Sequence, residues 1–62
     1  MTVCFDDLLR QTRCKFDDVK FLESEYAKIN GRVTKVWHIT FMDGRVKSFK
    51  MKDYSVYWVR AD

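Results

Sequence analysis

The sequence predicts an α+β domain in which N-terminal helical segments pack on a three-stranded antiparallel β-meander. Three observations carry that expectation. Apolar residues in the first half recur at helical spacing, the second half is rich in β-branched and aromatic residues, and the two halves meet at Asn30-Gly31, a strong local punctuator. The helical part is expected at about 3–30 and the meander at about 32–60, in one domain spanning 1–62.

The main helix, at about 16–30, rests on Phe16, Val19, Leu22, Tyr26 and Ile29. These step by three, three, four and three, and so share one helical face. Asp17 suits the N-cap, with Phe16 and Phe21 at the spacing of a hydrophobic staple. Lys28 in the last turn, followed by Asn30-Gly31, suits a left-handed C-terminal cap. The triplet "FDD" occurs at 5–7 and again at 16–18. A helix unbroken from Phe5 would be ~39 Å long at ~1.5 Å per residue, more than so small a domain covers. Two helices with a break near Thr12–Lys15 follow. Asp6, Asp7, Asp17 and Asp18 read as first-turn residues that complement the helix dipole, not as a metal site.

In the second half, "RVTKVWHITFM", "RVKSFKMK" and "YSVYWV" read as strands, the first two joined at "DG". A two-residue turn at Asp43-Gly44 would scatter apolar residues over both faces. A three-residue loop with Gly44 left-handed instead sets Phe41 opposite Arg45, Ile39 opposite Lys47 and Trp37 opposite Phe49. That register gathers Val33, Trp37, Ile39, Phe41, Phe49 and Met51 on a core face for the helix to cover. If the third strand follows tightly through Lys52-Asp53, Phe49 meets Val56 and Lys47 meets Trp58. The other face is then mixed, with Val36, His38, Thr40, Val46, Ser48, Lys50, Tyr57 and Val59.

Composition narrows the function. Of the 62 residues 47% are hydrophobic and 16% aromatic, too apolar for a disordered chain and enough for a small core. Cys4, Cys14 and His38 do not complete a zinc set, and no cofactor is implied. Two reduced thiols, no basic leader and no apolar run long enough to span a bilayer read as a cytoplasmic protein without a membrane segment. His38 has no nucleophile or acid at motif spacing and reads as structural. The cysteines have no recognisable base, and so short a chain lacks room for a walled substrate pocket. A non-enzymatic binding module is the result.

Residues 1–31 carry five Lys/Arg against six Asp/Glu; residues 32–62 carry seven against three. The basic half points to an anionic partner. Arg45 and Lys47, with Trp58 and Arg60 opposite them, form the expected nucleic-acid or nucleoprotein interface: cations for phosphates, Trp58 or Phe41 for a base. Lys50 and Lys52 extend it, making a second cationic zone with Lys35 and Arg32. The bland reading is that these cations guard an exposed strand against edge-to-edge pairing. The alternative function is a protein-binding regulator or inhibitor, of the virus-encoded type that occupies a host protein surface. Its anchors would be Val36, Val46, Tyr57 and Val59, and a homodimer could use the same face.

Overall fold

In the computed structural model, which describes residues 1–61, the chain forms six strands and no helix. Strands β1 (Thr2–Asp7), β2 (Thr12–Phe16) and β6 (Tyr54–Arg60) make one antiparallel sheet, in the order β2-β1-β6. Strands β3 (Val19–Ile29), β4 (Arg32–Phe41) and β5 (Val46–Lys50) make the other, in the order β3-β4-β5. The α+β expectation is overturned: residues 3–30 are strands and turns.

Steps of three also arise in a strand whose alternation is interrupted twice in succession. Between Phe16 and Val19 the chain turns a corner at Asp17-Asp18, where Asp18 has φ 57°. The β3–β4 register then shifts between Val19 and Phe21. Each interruption returns an apolar side chain inward one residue late, so Phe16, Val19 and Leu22 all meet the core. Beyond Leu22 the alternation is regular, which leaves Tyr26 72% exposed and puts Ile29 on the opposite face.

The helix signals were turn signals. Asn30 and Gly31, at φ 51° and 79°, close a two-residue β-hairpin, using the same left-handed conformation that a C-cap needs. Asp7 Oδ1 accepts the N–H groups of Leu9 and Arg10 as an N-cap would, but Gln11 at φ 56° sends the chain back into β2.

The β4–β5 register is the one the three-residue loop predicts. Trp37 stands opposite Phe49 and Ile39 opposite Lys47; Phe41 N–H donates to the Arg45 carbonyl (2.8 Å), and Gly44 has φ 90°. The third strand does not continue this sheet. Met51 N–H donates to the Lys35 carbonyl and Asp53 N–H to the Lys50 carbonyl, and this turn carries the chain across to β1. Val56 consequently faces Phe5, and Trp58 faces Cys4. The pairs Phe49–Val56 and Lys47–Trp58 do not form, and the meander reduces to the β4–β5 hairpin.

The two sheets close on an aromatic core. Phe5, with no exposed surface, lies 6.1 Å from Phe16, 6.2 Å from Trp37 and 5.5 Å from Phe49 between ring centroids. Phe16 in turn meets Phe41 and Phe49, and Phe49 meets Tyr54 at 4.8 Å. Edge-to-face and tilted pairs of this kind add ~0.5–1.5 kcal/mol each beyond their burial. Trp37 Nε1–H, donating to the Tyr54 carbonyl (3.0 Å), ties the second sheet to β6. Val33, expected in this core, lies outside it and is 72% exposed.

Phe5→Ala is expected to cost ~3–5 kcal/mol in chemical denaturation, because a fully buried ring leaves a cavity among rings that cannot collapse into it. At the corner, Asp18→Val should cost ~1–3 kcal/mol for a β-branched residue at positive φ, whereas Asp18→Gly should be tolerated. Equal costs for the two Asp18 variants would remove the conformational account of that corner.

Candidate nucleic-acid interface

The expected cluster of Arg45, Lys47, Trp58 and Arg60 is divided between the two sheets, because β6 pairs with β1. Arg45 is held within its own turn. Its Nε lies 2.7 Å from Asp43 Oδ2, its backbone N–H donates to Asp43 Oδ1, and its guanidinium lies 5.2 Å from the Phe41 ring centroid. These contacts hold the Asp43 carboxyl below its usual range, first through the Arg45 backbone N–H and then through its guanidinium. Lys47 reaches back over the rim of the core, with Nζ 5.5 Å from the Phe16 centroid. Trp58 and Arg60 stay together, the guanidinium 5.6 Å from the indole, on the face of β6 that turns away from the core.

The expected protein-binding face is likewise split. Val36, only 3% exposed, and Val46 lie on the outer face of the second sheet, opposite Lys50 and Thr40. Tyr57 and Val59 belong to β6. Tyr57 is 51% exposed beneath the Arg13 guanidinium, 3.8 Å from its centroid, and Val59 stands opposite Val3. No single surface joins the four.

Of the second cationic zone, three members come together and Lys35 does not. Arg32, Lys50 and Lys52 line an open cleft of about 370 Å³ where the β3–β4 hairpin runs past the end of β5. Ile29, Val33 and Thr34 supply its apolar and hydroxyl wall, and Asn30 lies at its tip. Lys35 stands on the neighbouring hairpin face, with Nζ 5.8 Å from the Tyr26 centroid. Among the described residues, no carboxylate lies within ion-pairing distance of Arg32, Lys50 or Lys52. By contrast, Arg13 is bound to Asp6 (3.0 Å) as Arg45 is to Asp43. The Arg45 charge is thus paired within its turn, whereas those of Arg32, Lys50 and Lys52 at the cleft are not.

Ile29, Asn30, Thr34 and Val33 were missed as lining residues. The available signal was "NG" flanked by β-forming residues, a hairpin mark that the helical spacing outweighed.

Other chemistry is poorly served. His38 Nδ1 lies 3.0 Å from Glu25 Oε1 and 3.3 Å from Ser48 Oγ. A serine relay needs the acid on one ring nitrogen and the hydroxyl on the other, whereas here both meet the same atom. Cys4 and Cys14 are free thiols on opposite faces of adjacent strands. Burial, and then the nearby Asp7 carboxylate, push the Cys14 thiol up, away from the reactive thiolate. A second cavity of about 490 Å³ lies beside the β1–β2 turn, where Asp6 holds Arg13 and Asp7 holds the turn backbone. Among the described residues no cluster of His, Cys, Asp and Glu is arranged to hold a metal ion, and no helix is long and apolar enough to cross a membrane.

Comparison of this chain with protein-family models, curated proteins and solved structures finds no match.

The depressed Asp43 carboxyl stabilises the fold above the ordinary carboxylate pKa, and that contribution is lost as pH falls through the lower folded value. Since the Arg45 backbone N–H is the leading cause, Arg45→Ala should keep much of the depression, whereas a variant that opens the turn should lose it. An NMR titration of the Asp43 carboxyl reads this; full restoration of the ordinary value in Arg45→Ala would assign the shift to the guanidinium instead.

Proposed function

We propose that the protein is a non-enzymatic binding module that holds the phosphate backbone of a nucleic acid, alone or within a nucleoprotein, at the Arg32–Lys50–Lys52 cleft. The observation that carries this reading is convergence: Arg32, Lys50 and Lys52 surround one concave surface, and among the described residues no carboxylate lies within ion-pairing distance of any of them. Unpaired like charges repel, and their convergence is relieved by an anion that each can reach. With its two free thiols, the protein is assigned to a reducing, cytoplasmic compartment as part of the same proposal.

The test is anisotropy with labelled oligonucleotides across a salt series. Three phosphate contacts give a slope of log K against log salt of roughly −2 to −3. Lys50→Ala with Lys52→Ala should flatten that slope by about 2, while Arg45→Ala should leave it nearly unchanged. Loss of binding in Arg45→Ala with retention in the double variant would return the site to the β4–β5 turn. Absence of binding at low salt would remove the reading.

One observation favours a second reading, a protein-binding regulator or inhibitor acting as a monomer or a homodimer. The Arg13 guanidinium stacks on half-exposed Tyr57, with Trp58 and Arg60 nearby on β6, and Tyr, Trp and Arg are the commonest interface anchors. Under this reading Tyr57→Ala dissolves a homodimer seen by sedimentation equilibrium and leaves oligonucleotide affinity unchanged. A wild-type chain that sediments as a monomer at all concentrations removes the homodimer form.

A further inference from the structure

We infer that the projecting part of the β3–β4 hairpin enters the major groove of duplex DNA, an inference that rests on the nucleic-acid reading of the cleft. Strand β5 ends opposite Val36, and the Met51–Lys35 bond is the last backbone hydrogen bond between the turn and this edge of β4. From there to the tip β3 and β4 accompany only each other, through the pairs Tyr26–Lys35, Ala27–Thr34, Lys28–Val33 and Ile29–Arg32. Four pairs make a two-stranded ribbon about 14 Å long and two strands, about 5 Å, wide before side chains.

Both faces of this ribbon are basic. Tyr26, Lys28, Val33 and Lys35 occupy one face; Ala27, Ile29, Thr34 and Arg32 occupy the other, with Lys50 at its base. No Asp or Glu occurs between Glu25 and Asp43. Tyr26 and Val33 are each 72% exposed, so neither the core nor another strand covers the face they share, and Arg32 is exposed on the other. A ribbon meant to lie flat on one strand needs cations on one face only. Cations on both faces suit a slot whose two walls are anionic.

The groove dimensions choose among such slots. The B-form major groove is about 12 Å wide and 8.5 Å deep and admits a two-stranded ribbon, while the minor groove, at about 6 Å, does not. The A-form major groove of duplex RNA is deep and too narrow for side chains to read. A tip-first ribbon of this length fills the DNA groove and leaves Lys50 and Lys52 at the level of the phosphate rim. Lys28 and Lys35 meet phosphates from the second face. Asn30, at the tip, carries the amide that pairs with the adenine major-groove edge.

The test uses the intact protein with a DNA duplex, the RNA duplex of the same sequence and the DNA single strand, all by anisotropy, with methyl green and netropsin as major- and minor-groove competitors. The DNA duplex should bind about tenfold or more tightly than the other two and be displaced by methyl green. Lys28→Ala with Lys35→Ala should lower the duplex salt slope by about 2. Asn30→Gly, which keeps the turn conformation, should flatten preference among duplex sequences; circular dichroism confirms that each variant stays folded. Equal or tighter binding of RNA duplex or single strand overturns groove insertion and leaves the anionic cleft standing, as does displacement by netropsin alone. No binding of any of the three overturns both.

Discussion

Two facing sheets in one short chain require that the chain turn a corner without surrendering its hydrogen bonds, and the rest of this structure depends on how Asp17-Asp18 does so. The corner is pinned from three sides. Met1 N donates to the Val19 carbonyl and Val19 N–H to the Met1 carbonyl; Met42 N–H donates to the Asp18 carbonyl; Thr2 Oγ1–H donates to Asp17 Oδ1. These bonds leave β2 in one sheet and start β3 in the other, so that Phe16 and Val19, on either side of the bend, both point into the same core. Once the corner is set, Phe5 and Phe16 of the first sheet face Trp37, Phe41 and Phe49 of the second. With Tyr54, which meets Phe49, these six rings hold the chain together without a disulfide.

The same geometry explains why one end of the long hairpin is left uncovered. The first sheet covers the second only as far as Trp37, because β1 and β6 are shorter than β3 and β4. The remaining length of the long hairpin has no core to serve, and its side chains answer to solvent and partners alone. There the sequence places Lys28, Arg32 and Lys35 with no acid between them.

What the sequence made legible followed the range over which each signal acts. The β4–β5 register was readable because Asp43-Gly44 and the alternation of Trp37, Ile39 and Phe41 are local and agree with each other. The nearness of Arg32, Lys50 and Lys52 follows from the same β4–β5 pairing, but that pairing sets Lys35 on the opposite face. The helix at 16–30 failed because a corner and a bulge, each adding one residue, turned a period of two into steps of three, and because left-handed Asn30-Gly31 ends a helix and a strand equally well. The fate of β6 was not legible at all. Whether "YSVYWV" pairs with its neighbour β5 or with β1 depends on which partner offers Phe5, and nothing within the strand encodes that choice.

The pairing of β1 with β6 also governs how the molecule comes into being. Residues 2–7, the central strand of the first sheet, find their second partner at residues 54–60, so that sheet is completed by the contact of longest sequence separation in the chain. The hairpin of β3, β4 and β5 forms from local contacts as soon as its own residues are free, whereas β1 must wait, half-paired with β2, for β6. Such topology folds slowly for its size, on the order of milliseconds to seconds. Until the last strand arrives, one edge of β1 has no partner, and it is the chain's far end that must close it.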